Sequence, residues 1–181
     1  MIDRAIAFAV RAHAGQMRKG TDTPYIVHPF GVAMLLARSG CSSDAVTAGL
    51  LHDTIEDCGV TAAEIEAEFG PQVAAIVVGC SEPDRARSWE ERKQETFTYL
   101  RTAPLEIKLV SCADKLHNVR AMAVDYRAVG EGLWARFKRG REQQAWYYRG
   151  LAAAFRSEIE AGLYPDLFWA LEREVTALFG G

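Results

Sequence analysis

The stretch "LLHDTIEDCG", Leu50 to Gly59, constrains this chain more than any other. It sets His52 and three carboxylates, Asp53, Glu56 and Asp57, directly behind two leucines. Leucines at that spacing belong in a core, and isolated charges beside a core are costly to desolvate. A fold that accepts them must supply compensation, and a divalent metal ion is the first candidate. On a helix each residue turns the chain by about 100°, so His52 and Glu56 share one stripe and Asp53 and Asp57 the next. Just upstream, Ala45, Ala48 and Gly49 are small enough to let a neighbouring helix and its ligands come close.

Helix signals run through the whole chain. Ile2, Ile6, Ala9, Val10 and His13 recur at helical spacing in a first helix. Pro29 suits the first position of a second, which stops near Gly40. "CSSDAV" caps a third helix expected from about Asp44 to Asp57. Thr61 and Glu64 form a capping box for a fourth, closed by Gly70. Pro71 opens a fifth, and Ser88 and Glu91 cap another after the charged loop "EPDRAR". Pro104 opens a long helix to about Met122. One more long helix is expected from about Glu131 to Glu160, and a terminal one from Pro165. No strand-turn-strand pattern, repeat or low-complexity tract breaks this series. The reading is an all-α bundle of about eight to ten helices in a single domain over residues 1–181. The short loop at 80–88 and the stretch at 123–132 are the expected mobile or functional segments.

Composition removes several classes. A net charge of -3 gives no global basic field for nucleic acid. No apolar run approaches a membrane span. "MIDRAIAFAV" reads as an amphipathic helix and not a signal peptide. The four cysteines, Cys41, Cys58, Cys80 and Cys112, form no CxxC pair, which fits reduced thiols in a cytoplasm. The oligomeric state is left open by the sequence.

Two residues suit the role of partners to the Leu50–Gly59 stretch. His28 sits in "PYIVHPF", its backbone restricted by the following proline. Asp114 sits in "VSCADKLHNVR" on a helical face with Ile107, Val110 and Ala121, where an aspartate needs a counter-charge. Two histidines and two aspartates form a mixed nitrogen and oxygen set for one divalent ion. Such a set favours manganese, iron or zinc over magnesium. An ion there would lower the pKa of bound water. His13 reads as a core or supporting histidine. "RFKRGR" (Arg136 to Arg141) and "WYYRGL" (Trp146 to Leu151) read as a solvated face and as core.

The order His28…His52-Asp53…Asp114 resembles the HD-domain metal-dependent phosphohydrolases. "AHAGQMRKGTDTPYIVHP", "LLHDTIEDCGVTAAEIEAEFG" and "KLVSCADKLHNVR" further resemble the hydrolase domain of the RelA/SpoT stringent-response family, above all its small hydrolase-only members of the metazoan type. The resemblance covers about residues 2–155 and leaves a C-terminal extension of about 156–181 without a motif. It implies removal of the 3′-diphosphate from guanosine alarmones such as ppGpp, giving pyrophosphate and GDP or GTP. It also implies manganese as the usual ion, with iron, cobalt or zinc as substitutes. By the same resemblance His28, His52, Asp53 and Asp114 are the metal ligands. Glu56 and Asp57 are the pair that orients or deprotonates the attacking water. Arg18, Lys19 and Asn118 contact the nucleotide, and Lys115 helps balance phosphate charge. Tyr25 is placed with the substrate contacts, its ring suited either to stacking on a base or to filling core. Arg120 follows the pattern, whereas Ala121 stands where relatives often carry threonine, which removes a polar contact near the base or ribose. The partner implied is thus a small nucleotide, with neither nucleic acid nor membrane. Two other readings compete with it. One is a phosphohydrolase for an adenosine alarmone or for the 2′-phosphate of NADPH. The other is a non-catalytic nucleotide sensor, against which the presence of all six ligand and acid positions weighs.

Overall fold

The computed structural model describes residues 1–82, 87–157 and 165–180. Ten α-helices account for it: α1 (Ile2–Ala12), α2 (Val27–Arg38), α3 (Ser43–Leu51), α4 (Thr54–Cys58), α5 (Ala62–Phe69), α6 (Pro71–Cys80), α7 (Trp89–Thr102), α8 (Leu105–Val129), α9 (Arg141–Arg156) and α10 (Pro165–Phe179). Among the described residues there is no strand, only an isolated antiparallel bridge between Met17 and Pro24. The fold is all-α.

The punctuation works as its chemistry requires. Ser42 accepts the Ala45 N–H to cap α3. Thr61 with Glu64 and Ser88 with Glu91 close reciprocal capping boxes on α5 and α7. Gly70, at φ 92°, ends α5 and lets Pro71 start α6.

Four expectations about helix limits are corrected. The third helix does not run on to Asp57; it stops at Leu51 and restarts at Thr54. The reason is side-chain competition for its carbonyls. His52 Nδ1 donates to the Gly49 carbonyl at 2.8 Å, and Thr54 Oγ1 donates to the Leu51 carbonyl at 2.7 Å. α2 begins two residues before Pro29, because turns from Pro24 and Tyr25 to the Val27 and His28 N–H groups start it early. Pro29 still falls in the first turn, where no N–H is needed. α8 continues past Met122 to Val129, so most of the 123–132 stretch is helix and not a loop. Gly130, at φ 58°, ends it. The long helix expected from Glu131 is a short 3₁₀ segment, Gly130–Arg136, and then α9 from Arg141. Extended backbone at Phe137 and Gly140 separates them. Its expected end at Glu160 and residues 83–86 of the charged loop lie outside the described residues.

The chain groups into two compact units. The first comprises Met1–Pro83 and Pro104–Asp114, so it holds α1 to α6 and the start of α8, from Leu105 to Asp114. Its core includes Leu36, Leu50, Leu51, Ile65, Ile76 and Val110, all buried. Each such side chain contributes about 1.5–3 kcal/mol of burial. The central pairing is α2 on α3. Gly49 makes it possible: a Cβ there would stand 2.6 Å from Leu36 Cδ1 and 3.4 Å from Val32 Cγ1. The small-residue run on α3 therefore does what its sequence indicates, and brings the helix carrying His28 against the one leading into His52.

The second unit comprises Asp84–Ala103 and Lys115–Gly181. Within it α9 packs on α7 and α10. Gly150 admits the Phe97 ring where a Cβ would collide with it. Phe155 stacks on Phe168 in its core.

Candidate metal centre

His28, His52, Asp53 and Asp114 meet inside the first unit. His28 stands in the first turn of α2, His52 and Asp53 in the break between α3 and α4, and Asp114 in α8. His28 Nε2 lies 3.1 Å from Asp114 Oδ1 and 3.6 Å from Asp53 Oδ2. His52 Nε2 lies 3.0 Å from Asp53 Oδ2 and 3.8 Å from Asp114 Oδ1. One ligand atom each from His28, His52 and Asp114 falls within 4.8 Å of the others, and all three residues are buried.

The local backbone explains how His52 presents itself. Its Nδ1 must carry the hydrogen, because its partner, the Gly49 carbonyl, only accepts. That leaves Nε2 as the donor atom of the neutral ring, the usual arrangement for a metal-ligating imidazole. His52 Nε2 is buried and, as a neutral ring nitrogen, makes no hydrogen bond; Asp53 Oδ2 stands 3.0 Å from it. A buried polar nitrogen without a bond is costly. A cation facing it and the two carboxylates, a proton in the metal-free protein or a divalent ion in its place, would remove that cost, so the residues present fit a divalent ion.

Electrostatics sharpen the point. Burial pushes the His28 imidazole below its ordinary value, against the opposing pull of Asp114. Burial acts on His52 in the same direction, but the carboxylates of Asp53 and Asp114 and the Gly49 carbonyl together overcome it and raise His52 to about 9. Desolvation likewise works against ionised Asp53, and the neighbouring His52 overcomes it, holding the carboxyl well below the usual range. The metal-free cluster thus keeps one proton, on His52, between two carboxylates.

The other expected residues fall as follows. Glu56 and Asp57 occupy the short α4, immediately after Asp53. Glu56 is half-buried and accepts the Glu82 N–H at 3.4 Å. Asp57 is exposed, and its carbonyl accepts from Gln16 Nε2. Arg18 and Lys19 lie at the tip of an ordered hairpin between α1 and α2. Its rungs are Arg18 N–H to the Thr23 carbonyl and Tyr25 N–H to the Gln16 carbonyl, both 2.8 Å. Gly20, at φ 73°, turns the tip. Tyr25 holds a place that the sequence did not reveal. Its hydroxyl donates to Asp53 Oδ2 at 2.7 Å. Its ring lies against those of His13 and His28, with the Arg18 guanidinium 5.7 Å above it. Lys115 and Asn118 follow Asp114 on α8, in the part that belongs to the second unit.

A histidine, a histidine-aspartate pair and an aspartate, in this chain order and gathered at one buried point, is the arrangement to compare. Residues 5–143 match the family described as HD domain. The chain belongs to the HD-domain family. A Xenopus tropicalis guanosine-3′,5′-bis(diphosphate) 3′-pyrophosphohydrolase is similar to this HD-domain chain, with 41% identity over 123 residues, 66% of this chain and 68% of that protein. A probable GTP pyrophosphokinase of Mycobacterium leprae is 38% identical over 125 residues, 67% of this chain but 16% of its own length. The HD-domain chain therefore spans about a sixth of that long bacterial relative. A crystal structure from Listeria monocytogenes EGD-e superimposes with a TM-score of 0.81 at 38% identity, covering 85% of this chain and 99% of that one. The structure of a metazoan ortholog of SpoT superimposes at 0.79 with 24% identity, over 97% of this chain and 93% of that one, and supports the fold.

No helix among the described residues is long and apolar enough to cross a membrane.

Proposed function

We propose that this HD-domain protein is a metal-dependent phosphohydrolase that removes the 3′-diphosphate from guanosine alarmones of the ppGpp type, releasing pyrophosphate and GDP or GTP. The observation that carries the reading is the buried His28, His52 and Asp114 cluster with Asp53 beside it. Relatives named for this activity, at about 40% identity over most of the chain, narrow the substrate. Manganese is the ion proposed, and the compartment proposed is the cytoplasm.

His28, His52, Asp53 and Asp114 would hold a divalent cation, which would supply Lewis acidity and lower the pKa of water. The chain's own residues do the rest. Gly49 fixes the His52 tautomer through its carbonyl. Glu56 and Asp57 orient the attacking water and accept its proton, with Glu56 steadied by the Glu82 N–H. Arg18 and Lys19, on their hairpin tip, neutralise the phosphates that are not being attacked. Asn118 contacts the nucleotide by the sequence resemblance, and Lys115 helps balance the phosphate charge. The buried surroundings of His28, His52 and Asp114 strengthen the charge interactions among them.

A panel of 3′-diphosphate and 3′-phosphate nucleotides, with manganese and with product identification, tests this reading. Pyrophosphate released from a guanosine 3′-diphosphate is the expected result. Turnover only of an adenosine 3′-diphosphate or of NADPH would move the substrate, and binding without turnover would make the protein a sensor.

A further inference from the structure

We propose that Tyr25 is a positioning residue for the metal centre, holding Asp53 in place before the ion binds, and that it does so from a clamp built by His13 and Gln16. This inference rests on the metal reading above. The decisive contact is the 2.7 Å hydrogen bond from the Tyr25 hydroxyl to Asp53 Oδ2. That oxygen is the one that stands 3.0 Å from His52 Nε2 and 3.6 Å from His28 Nε2. The hydroxyl therefore tethers the carboxylate oxygen that both imidazoles share. A carboxylate on a short side chain rotates freely unless something holds it. Asp53 also sits in the break between α3 and α4, so helix packing does not fix its direction.

Tyr25 is itself held at its backbone and at its ring. Its N–H donates to the Gln16 carbonyl, which closes the base of the Arg18–Lys19 hairpin. Its ring centroid lies 4.9 Å from that of His13, a residue only 3% exposed. His13 is locked in turn by Gln16, since His13 Nδ1 and Gln16 Oε1 are 2.8 Å apart. Gln16 Nε2 then donates to the Asp57 carbonyl at 3.2 Å, which ties the clamp to α4. The chain Gln16, His13, Tyr25, Asp53 thus connects the segment after α1 to a proposed metal ligand, and Gln16 also reaches the Asp57 carbonyl 41 positions away. With the ring packed on His13 and the hydroxyl on Asp53, Tyr25 is occupied by the protein. It is assigned to the ligand shell and not to the nucleotide base. Residues that support metal ligands in this way typically change metal affinity 10- to 100-fold when their bond is removed.

The test is manganese binding, read by calorimetry and by the EPR signal of free Mn²⁺, for wild type, Tyr25→Phe and Gln16→Ala, with steady-state kinetics at saturating metal. Tyr25→Phe keeps the ring and loses only the hydroxyl. The expected result is a Kd for manganese about tenfold weaker or more, with KM for the nucleotide within about twofold of wild type. Wild-type manganese affinity in Tyr25→Phe would overturn the proposal, and so would a raised KM with unchanged metal affinity, which would return Tyr25 to the nucleotide. Circular dichroism checks the fold of each variant. If Tyr25→Phe does not fold, Gln16→Ala decides: weakened manganese binding supports the clamp, and unchanged binding overturns it. If wild type itself binds no manganese, the metal reading fails, which is distinct from failure of this inference.

Discussion

At the scale of single residues, the centre is organised by which nitrogen or oxygen is already engaged. His52 gives Nδ1 to the Gly49 carbonyl and keeps Nε2 for the ion. In the metal-free protein that imidazole is raised to about 9 by the two carboxylates, so at neutral pH it holds a proton. Metal and proton compete for it. Manganese affinity should therefore rise with pH from 6 towards 9, and uptake at pH 7.5 should release close to one proton. Calorimetry in buffers of different ionisation enthalpy measures that number, and a proton-independent heat would contradict it. Glu56 is proposed for the chemistry and not for the ligand set. Glu56→Gln should retain manganese and lower kcat by about a hundredfold or more, the usual scale for losing a general base. Loss of metal in that variant would make Glu56 a ligand. The four residues that meet at this point were legible as a group in the sequence because residue type and chain order carry them. The Tyr25 bond was not, since a tyrosine in "TPYIVH" reads equally well as core or as a stacking ring until Asp53 is seen beside it.

At the scale of elements, the α2–α3 contact sets the distance between the ligands. Gly49 has no room for a methyl group against Leu36 and Val32. Gly49→Ala should cost about 1–3 kcal/mol by overpacking. It should also weaken manganese binding, because α2 carries His28 and α3 leads into His52. Gly150→Ala overpacks the Phe97 contact in the second unit and serves as the comparison. It should cost a similar amount of stability and leave metal affinity unchanged. Denaturant melts with parallel metal titrations separate the two. Equal loss of metal in both variants would mean that general loosening and not the α2–α3 distance is responsible. Helix starts were readable from Ser42, Thr61 and Ser88, whose capping bonds are made within three residues. The break after Leu51 was not, because apolar periodicity continues through "LLHDTIED". What interrupts the helix is the pair of side-chain bonds to the Gly49 and Leu51 carbonyls.

At the scale of the whole molecule, the metal should act as a folding ligand. The four proposed ligand residues are scattered from His28 to Asp114 and converge only in the folded chain. An ion that binds the folded state alone stabilises it by about 2.7 kcal/mol at a hundred times its Kd. For a chain of this size that corresponds to a rise in Tm of roughly 5–10 °C. Manganese should produce that rise, a chelator should reverse it, and Asp53→Ala should show neither while keeping its helical circular dichroism. A metal-independent Tm in wild type would argue against the centre. By itself the sequence determined the helical class and most helix caps, and it singled out the four residues that meet at the buried cluster. These depend on contacts within a turn or on residue chemistry, both of which survive in a linear string. Only the tertiary structure decided where the third helix breaks, how α2 and α3 approach, and which groups hold the ligands. Each of those is settled by a partner tens of residues away, and the energy that selects it exists only once the chain has brought the two together.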